Sequence, residues 1–190
     1  VAAFLKEANE SGLPIDLRFR NSTDAVAALS RGESDLAGFH VPVDEFETQS
    51  AERYGKWLDA KNHKLIHLAL RTQGLFVNPG NPLGITGLKD LSRPDVRFVN
   101  RQAGSGTRML LELMLPKFDI SASMINGYEN TEFTHSAVAA FIASGMADVG
   151  FGVQTAAERF KLDFIPIARE RYFFAVNAET LEQPKMRKVI

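Results

Sequence analysis

Apolar positions recur at helical spacing through Val1-Ala2-Ala3-Phe4-Leu5-Lys6-Glu7-Ala8-Asn9 and stop at Ser11-Gly12. From Ile15 to Arg20 the pattern changes to strict apolar–charged alternation, which predicts a half-exposed strand. Asn21-Ser22-Thr23-Asp24 is an N-cap cluster, and the helix it opens runs through Ala25-Val26-Ala27-Ala28-Leu29 to a stop near Gly32. A short buried strand is expected at Asp35 to His40, and a helix over 45–61 around Trp57 and Leu58. Strands follow at Leu65 to Leu70 and Gly74 to Val77, ended by the turn Asn78-Pro79-Gly80-Asn81-Pro82.

The second half continues the alternation. A strand at Val96 to Val99 leads into a helix after Arg108, and a further strand is expected at Ser123 to Tyr128. A helix from Ser136 to Ala143, a strand at Asp148 to Phe151 and a helix at Thr155 to Phe160 come next. Strands at Asp163 to Ile167 and Tyr172 to Val176 precede a last helix from Pro184. Strands alternating with helices predict an α/β fold with largely parallel sheets.

One piece of the pattern occurs twice. Ala25 to Leu29, a glycine stop at Gly32 and the strand Asp35-Leu36-Ala37-Gly38-Phe39 are echoed by Ala137 to Phe141, Gly145 and Asp148-Val149-Gly150-Phe151. Both copies start on hydroxyl-rich residues, Asn21-Ser22-Thr23 and Thr134-His135-Ser136. Two units of similar build would set these capped helix starts on a shared cleft, outside the carboxyl ends of their strands.

Formal charge is −1 over 190 residues with no cysteine. The balance offers no basic field for nucleic acid, so no direct nucleic-acid binding is expected. Disulfide and thiol chemistry are excluded. No apolar run reaches transmembrane length, so no membrane partner is expected. The abrupt opening on an amphipathic helix, with no signal peptide, leads us to expect that something upstream is removed or disordered.

The candidate chemistry centres on Phe98-Val99-Asn100-Arg101-Gln102-Ala103-Gly104-Ser105-Gly106-Thr107-Arg108, a strand, a tight turn and a helix start. Free N–H groups at such a start, with the helix dipole behind them, form an anion cup. Gly104 and Gly106 allow close backbone approach, while Ser105 and Thr107 add hydroxyl donors. Arg101 and Arg108 are candidate anion clamps, each with a salt-bridge role as the alternative. Ser22, Thr23, Thr134, His135 and Ser136 are candidate contacts at the other two helix starts, where simple capping is the alternative. His40 ends its short strand where a cleft residue would lie, or packs as a core histidine. Tyr128 has a hinge or packing role, or contacts the ligand.

His63 and His67 lie about 13 Å apart if on a strand, too far to share a metal, so no metal site is expected. No nucleophile–base motif is present, so neither enzymatic activity nor a cofactor is expected.

Several segments in order carry a family resemblance. These are Leu68 to Leu83, Asp90-Leu91, Asn100 to Arg108, Thr134 to Ala139, Ala147 to Gly152, Leu162 to Pro166 and Glu170-Arg171-Tyr172. Together they resemble the periplasmic-binding-protein-like domain that accompanies molybdate-type transcriptional regulators and some molybdopterin-biosynthesis proteins. The resemblance implies a two-lobed type II fold with a hinge of crossing strands near Thr72–Gly74 and Leu162–Asp163. Lobe 1 would be 1–72 plus 163–190, without the first strand that relatives carry, and lobe 2 would be 73–162. It also implies binding of molybdate or tungstate through hydroxyls and backbone amides, a fused or upstream helix-turn-helix module, and a cytoplasmic location. A periplasmic receptor of an ABC-type transporter, a ligand-binding domain of a molybdenum-cofactor biosynthesis protein, and an organic-anion sensor are the alternatives.

Overall fold

The structure, a computed structural model, describes residues 2–43 and 47–189. Val1 of the expected first helix, and residues 45 and 46 of the expected third, lie outside the described residues. Helices α1 (Ala2–Glu10) and α2 (Ser22–Ser30) precede strand β1 (Leu36–Pro42), helix α3 (Glu47–Tyr54) and the long strand β2 (His63–Val77). Then come β3 (Phe98–Arg101), α4 (Gly106–Met114), β4 (Thr131–Glu132), α5 (His135–Ala143) and β5 (Val149–Val153). Helix α6 (Gln154–Arg159), the long strand β6 (Asp163–Asn177), α7 (Ala178–Leu181) and α8 (Pro184–Val189) complete the order.

One mixed sheet runs β1-β6-β2-β5-β3-β4. The fold is α/β as expected, but parallel pairing is confined to β3 with β5 and β3 with β4. Contacts of β6 with β1 and β2, and of β2 with β5, are antiparallel. The expectation of largely parallel sheets failed because it split each long strand in two. Arg71, Thr72 and Gln73 interrupt the apolar run of β2, and Arg169, Glu170 and Arg171 interrupt β6. The backbone nevertheless continues through both interruptions, with Thr72 opposite Arg169 and a register shift between Gln73 and Gly74.

Two other expected strands are absent. Ile15 to Arg20 is irregular, and Phe19 is 89% exposed, because among the described residues nothing pairs with it. Ser123 to Tyr128 forms a short 3-10 turn followed by further turns. The helix expected over 45–61 stops at Tyr54. The echo, by contrast, is geometric as well as textual. At the end of α2 the Arg31 N–H donates to the Ala27 carbonyl and the Gly32 N–H to that of Leu29. At the end of α5 the Ser144 N–H donates to the Ala140 carbonyl and the Gly145 N–H to that of Ile142. Gly32 and Gly145 then take left-handed backbones at φ of 71° and 77°, a conformation that glycine adopts without steric penalty.

Alternation along the strands feeds two cores on opposite faces of the sheet. Leu75 and Phe98 join Leu110, Leu111 and Phe151 under α4, while Phe76 and Val99 join Val138, Ile142 and Ala157 under α5 and α6. A third core holds Val26, Leu29, Phe39, Tyr54 and Ala175. Met109 of α4 packs into this third core, so α4 is shared between the two halves. The boundary expected at 72/73 falls inside β2 and that at 162/163 directly ahead of β6. Beyond the latter point Ile165, Ile167 and Ala168 still pack on the core of Leu75 and Phe98.

Candidate functional site

Two helix starts meet face to face. Ser105 caps α4, its hydroxyl oxygen accepting from the Arg108 N–H at 3.2 Å. Asn21 caps α2 in the same way, accepting from the Asp24 N–H at 2.8 Å. A methyl group on Gly104 would come within 3.1 Å of Asn21 Nδ2, and one on Gly106 within 3.2 Å of Ser22 Oγ and 3.8 Å of His40 Cβ. A side chain at either glycine would oblige Asn21 or Ser22 to give by a few tenths of an ångström. Ser22 Oγ is itself 3.5 Å from His40 Nδ1. Thr23 is half-buried in the same first turn of α2.

The third start reaches the same region through charge. Thr134 is an exposed cap of α5, accepting from the Ala137 N–H at 3.0 Å, and Ser136 is half-buried beside it. His135 packs against Gly152, where a methyl group would meet its Nδ1 at 2.8 Å. That Nδ1 is buried without a hydrogen-bond partner among the described residues. Burial, then the charges of Arg101 and Arg71, push His135 down to about 2. His40 is held well below its ordinary 6.5 by burial and by Arg71, His135 and Arg101. Both imidazoles are therefore neutral at physiological pH.

Arg101 supplies a half-buried positive charge. Its Nη2 donates to the Phe133 carbonyl at 3.0 Å, but its Nε is buried without a partner among the described residues. Burial, aided by Arg71, pushes its guanidinium down to about 10, so it remains charged. Arg108 does not join the group. Its guanidinium donates to Glu112 at 3.0 Å, one turn along α4, and lies 4.7 Å from the centre of the Tyr128 ring. Tyr128 is buried in the core and so serves packing.

Four residues that were not singled out as site candidates complete the region. Arg71 on β2 pairs with Glu170 on β6, whose side chain is 1% exposed. Gln73 Nε2 bridges Glu170 Oε2 at 2.8 Å and Thr107 Oγ1 at 3.1 Å. Tyr172 stacks on His40 with ring centres 4.4 Å apart, in space kept open by Gly38, where a methyl group would overlap its hydroxyl. Their signal was the run of polar residues inside each long apolar strand. Among the described residues no group of His, Asp or Glu is arranged to hold a metal.

The arrangement offers donors at helix starts and a half-buried cation whose charge is felt at His40 and His135. A family model described as PBP superfamily domain matches residues 2–190. The chain belongs to the PBP superfamily. This PBP-superfamily domain is 35% identical to the Bacillus subtilis protein YvgK over 159 residues, 84% of the chain and 52% of that protein. The chain thus spans about half the length of this relative. Among solved structures it is similar to PhnD1 from Prochlorococcus marinus in complex with methylphosphonate, with a TM-score of 0.68, 16% identity, and coverage of 99% of this chain and 75% of that one. It is also similar to the sulfate-bound regulatory domain of a Vibrio vulnificus OxyR2 mutant, with a TM-score of 0.61, 15% identity, and coverage of 99% and 87%. These likenesses show the two-lobed type II fold. Among the described residues no helix is long and apolar enough to cross a membrane.

Proposed function

We propose that this PBP-superfamily domain binds a small oxyanion, without turnover, between the starts of α2, α4 and α5. The observation that carries the reading is Arg101, a half-buried guanidinium whose Nε is buried without a partner among the described residues. Its charge reaches His135 at the start of α5 and His40 beside the starts of α2 and α4. An uncompensated buried cation is costly, and an anion that accepts from it recovers that cost. The helix dipoles and free first-turn N–H groups add to the attraction without mobile charges.

Lobes hinged on β2 and β6 would close on the ligand, with the bending at Arg71–Gln73 and Ala168–Glu170. Closure would be reported to an attached module, a helix-turn-helix segment of a cytoplasmic transcriptional regulator. The regulatory domain among the similar structures, with its bound sulfate, supports this reading. Molybdate and tungstate are the anions that the resemblance to molybdate-type regulators favours. Calorimetry of the domain against molybdate, tungstate, sulfate, phosphate and methylphosphonate tests the reading. Binding of at least one is expected, and no heat and no thermal shift with any of the five would overturn it.

A further inference from the structure

We propose that Gln73 is a positioning residue: it commits the Thr107 hydroxyl to donating, and so turns the site toward oxyanions that carry no proton. The inference rests on the oxyanion reading above and concerns how that site chooses among anions.

Gln73 is fully buried at the register shift of β2. Its amide has a forced orientation, because Nε2 lies 2.8 Å from Glu170 Oε2 and an ionised carboxylate only accepts. Turning the amide over would set Oε1 against that carboxylate. Gln73 Oε1 is left buried without a partner among the described residues, which is the consequence of that orientation. The second hydrogen of Nε2 reaches Thr107 Oγ1 at 3.1 Å.

A hydroxyl that accepts in this way still has one proton to give. Among the described residues no acceptor takes it. Thr107 lies in the first turn of α4, where backbone N–H groups also lack intrahelical acceptors. Glu170, the carboxylate that orients Gln73, is engaged at both oxygens, since Arg71 holds Oε1 and Gln73 holds Oε2. A ligand oxygen at Thr107 therefore meets donors alone. An unprotonated oxygen satisfies them, whereas an O–H placed there sets donor against donor.

Calorimetry at neutral pH decides the matter, because phosphate carries a proton there while molybdate and sulfate carry none. The unaltered domain should bind molybdate or sulfate more tightly than phosphate. Gln73→Met, or Gln73→Asn, which keeps a donor but cannot span both partners, frees the hydroxyl to accept. Either folded variant should lower the molybdate-to-phosphate affinity ratio about tenfold.

Thr107→Val should weaken molybdate binding at least about tenfold and lower the same ratio, while Thr107→Ser retains both. In the Thr107→Val background Gln73→Met should change the ratio by less than about twofold, since a residue acting through Thr107 has nothing left to act upon. Additive effects, or a ratio unmoved by Gln73→Met and Gln73→Asn in folded protein, overturn the inference. If neither Gln73 variant folds, an unmoved ratio in Thr107→Val overturns it alone. An unaltered domain that binds none of these anions defeats the oxyanion reading instead, which separates the two failures.

Discussion

Gly106 stands so close to Ser22 that a methyl group on it would lie 3.2 Å from the serine hydroxyl. This contact, with the neighbouring approach of Gly104 to Asn21, joins the start of α4 to the start of α2. Gly106→Ala tests it. Alanine is the better helix former by up to about 1 kcal/mol, and the backbone of Gly106 is not left-handed, so the folded domain should not lose thermal stability. Ligand affinity should fall about tenfold as the wedge holds the helix starts apart, and small-angle scattering should show a larger radius of gyration with ligand than the unaltered domain has.

Arg101→Met separates binding from stability. Removal of a half-buried cation whose Nε lacks a partner among the described residues relieves a desolvation penalty, so the thermal midpoint without ligand should stay constant or rise. Anion affinity should fall by at least about tenfold, the worth of a hydrogen bond to a charged group. A loss of both together would make Arg101 a structural residue.

The ion pair of Arg71 and Glu170 should behave in the opposite way. Glu170→Gln leaves the arginine unpaired and removes an acceptor from Gln73, and should destabilise the domain by about 1–3 kcal/mol in urea unfolding. Anion binding should survive, with a steeper dependence on salt, because the site then carries one more positive charge.

Acid should unfold the domain through its histidines. His135 and His40 are depressed in the folded state, His135 to about 2 from 6.5. Below 6.5 the unfolded chain binds protons that the folded chain refuses. Their stabilising contribution is therefore complete above the ordinary value and is lost as pH falls below it, by at most about 1.4 kcal/mol per pH unit for each. Urea midpoints measured from neutral pH down to mildly acid conditions should fall accordingly, and His135→Gln should flatten the slope.

Local chemistry was legible in the sequence. The caps Asn21 and Thr134, the left-handed stops at Gly32 and Gly145, and the echo that links them all follow from residues a few positions apart. Pairings across the chain were not legible. Arg71 and Glu170 are far apart in sequence, and nothing in either strand's pattern names the other. Polar residues in an apolar run read as strand ends, when they mark the place where a continuous strand passes the site. Ile15 to Arg20 fails for the opposite reason, since alternation states a preference for pairing and cannot supply the partner.

The continuity of β2 and β6 has a mechanical consequence. Two strands laddered together across the junction act as a flat strip, compliant to bending normal to its plane and stiff against shear along its length. Hydrogen bonds on both sides of the register shift at Gln73 fix the position of any bend. Opening of the cleft would then be confined to rocking about one axis. The Arg101 side of the site and the Ser22 side would separate and return along a single path, without sliding past one another.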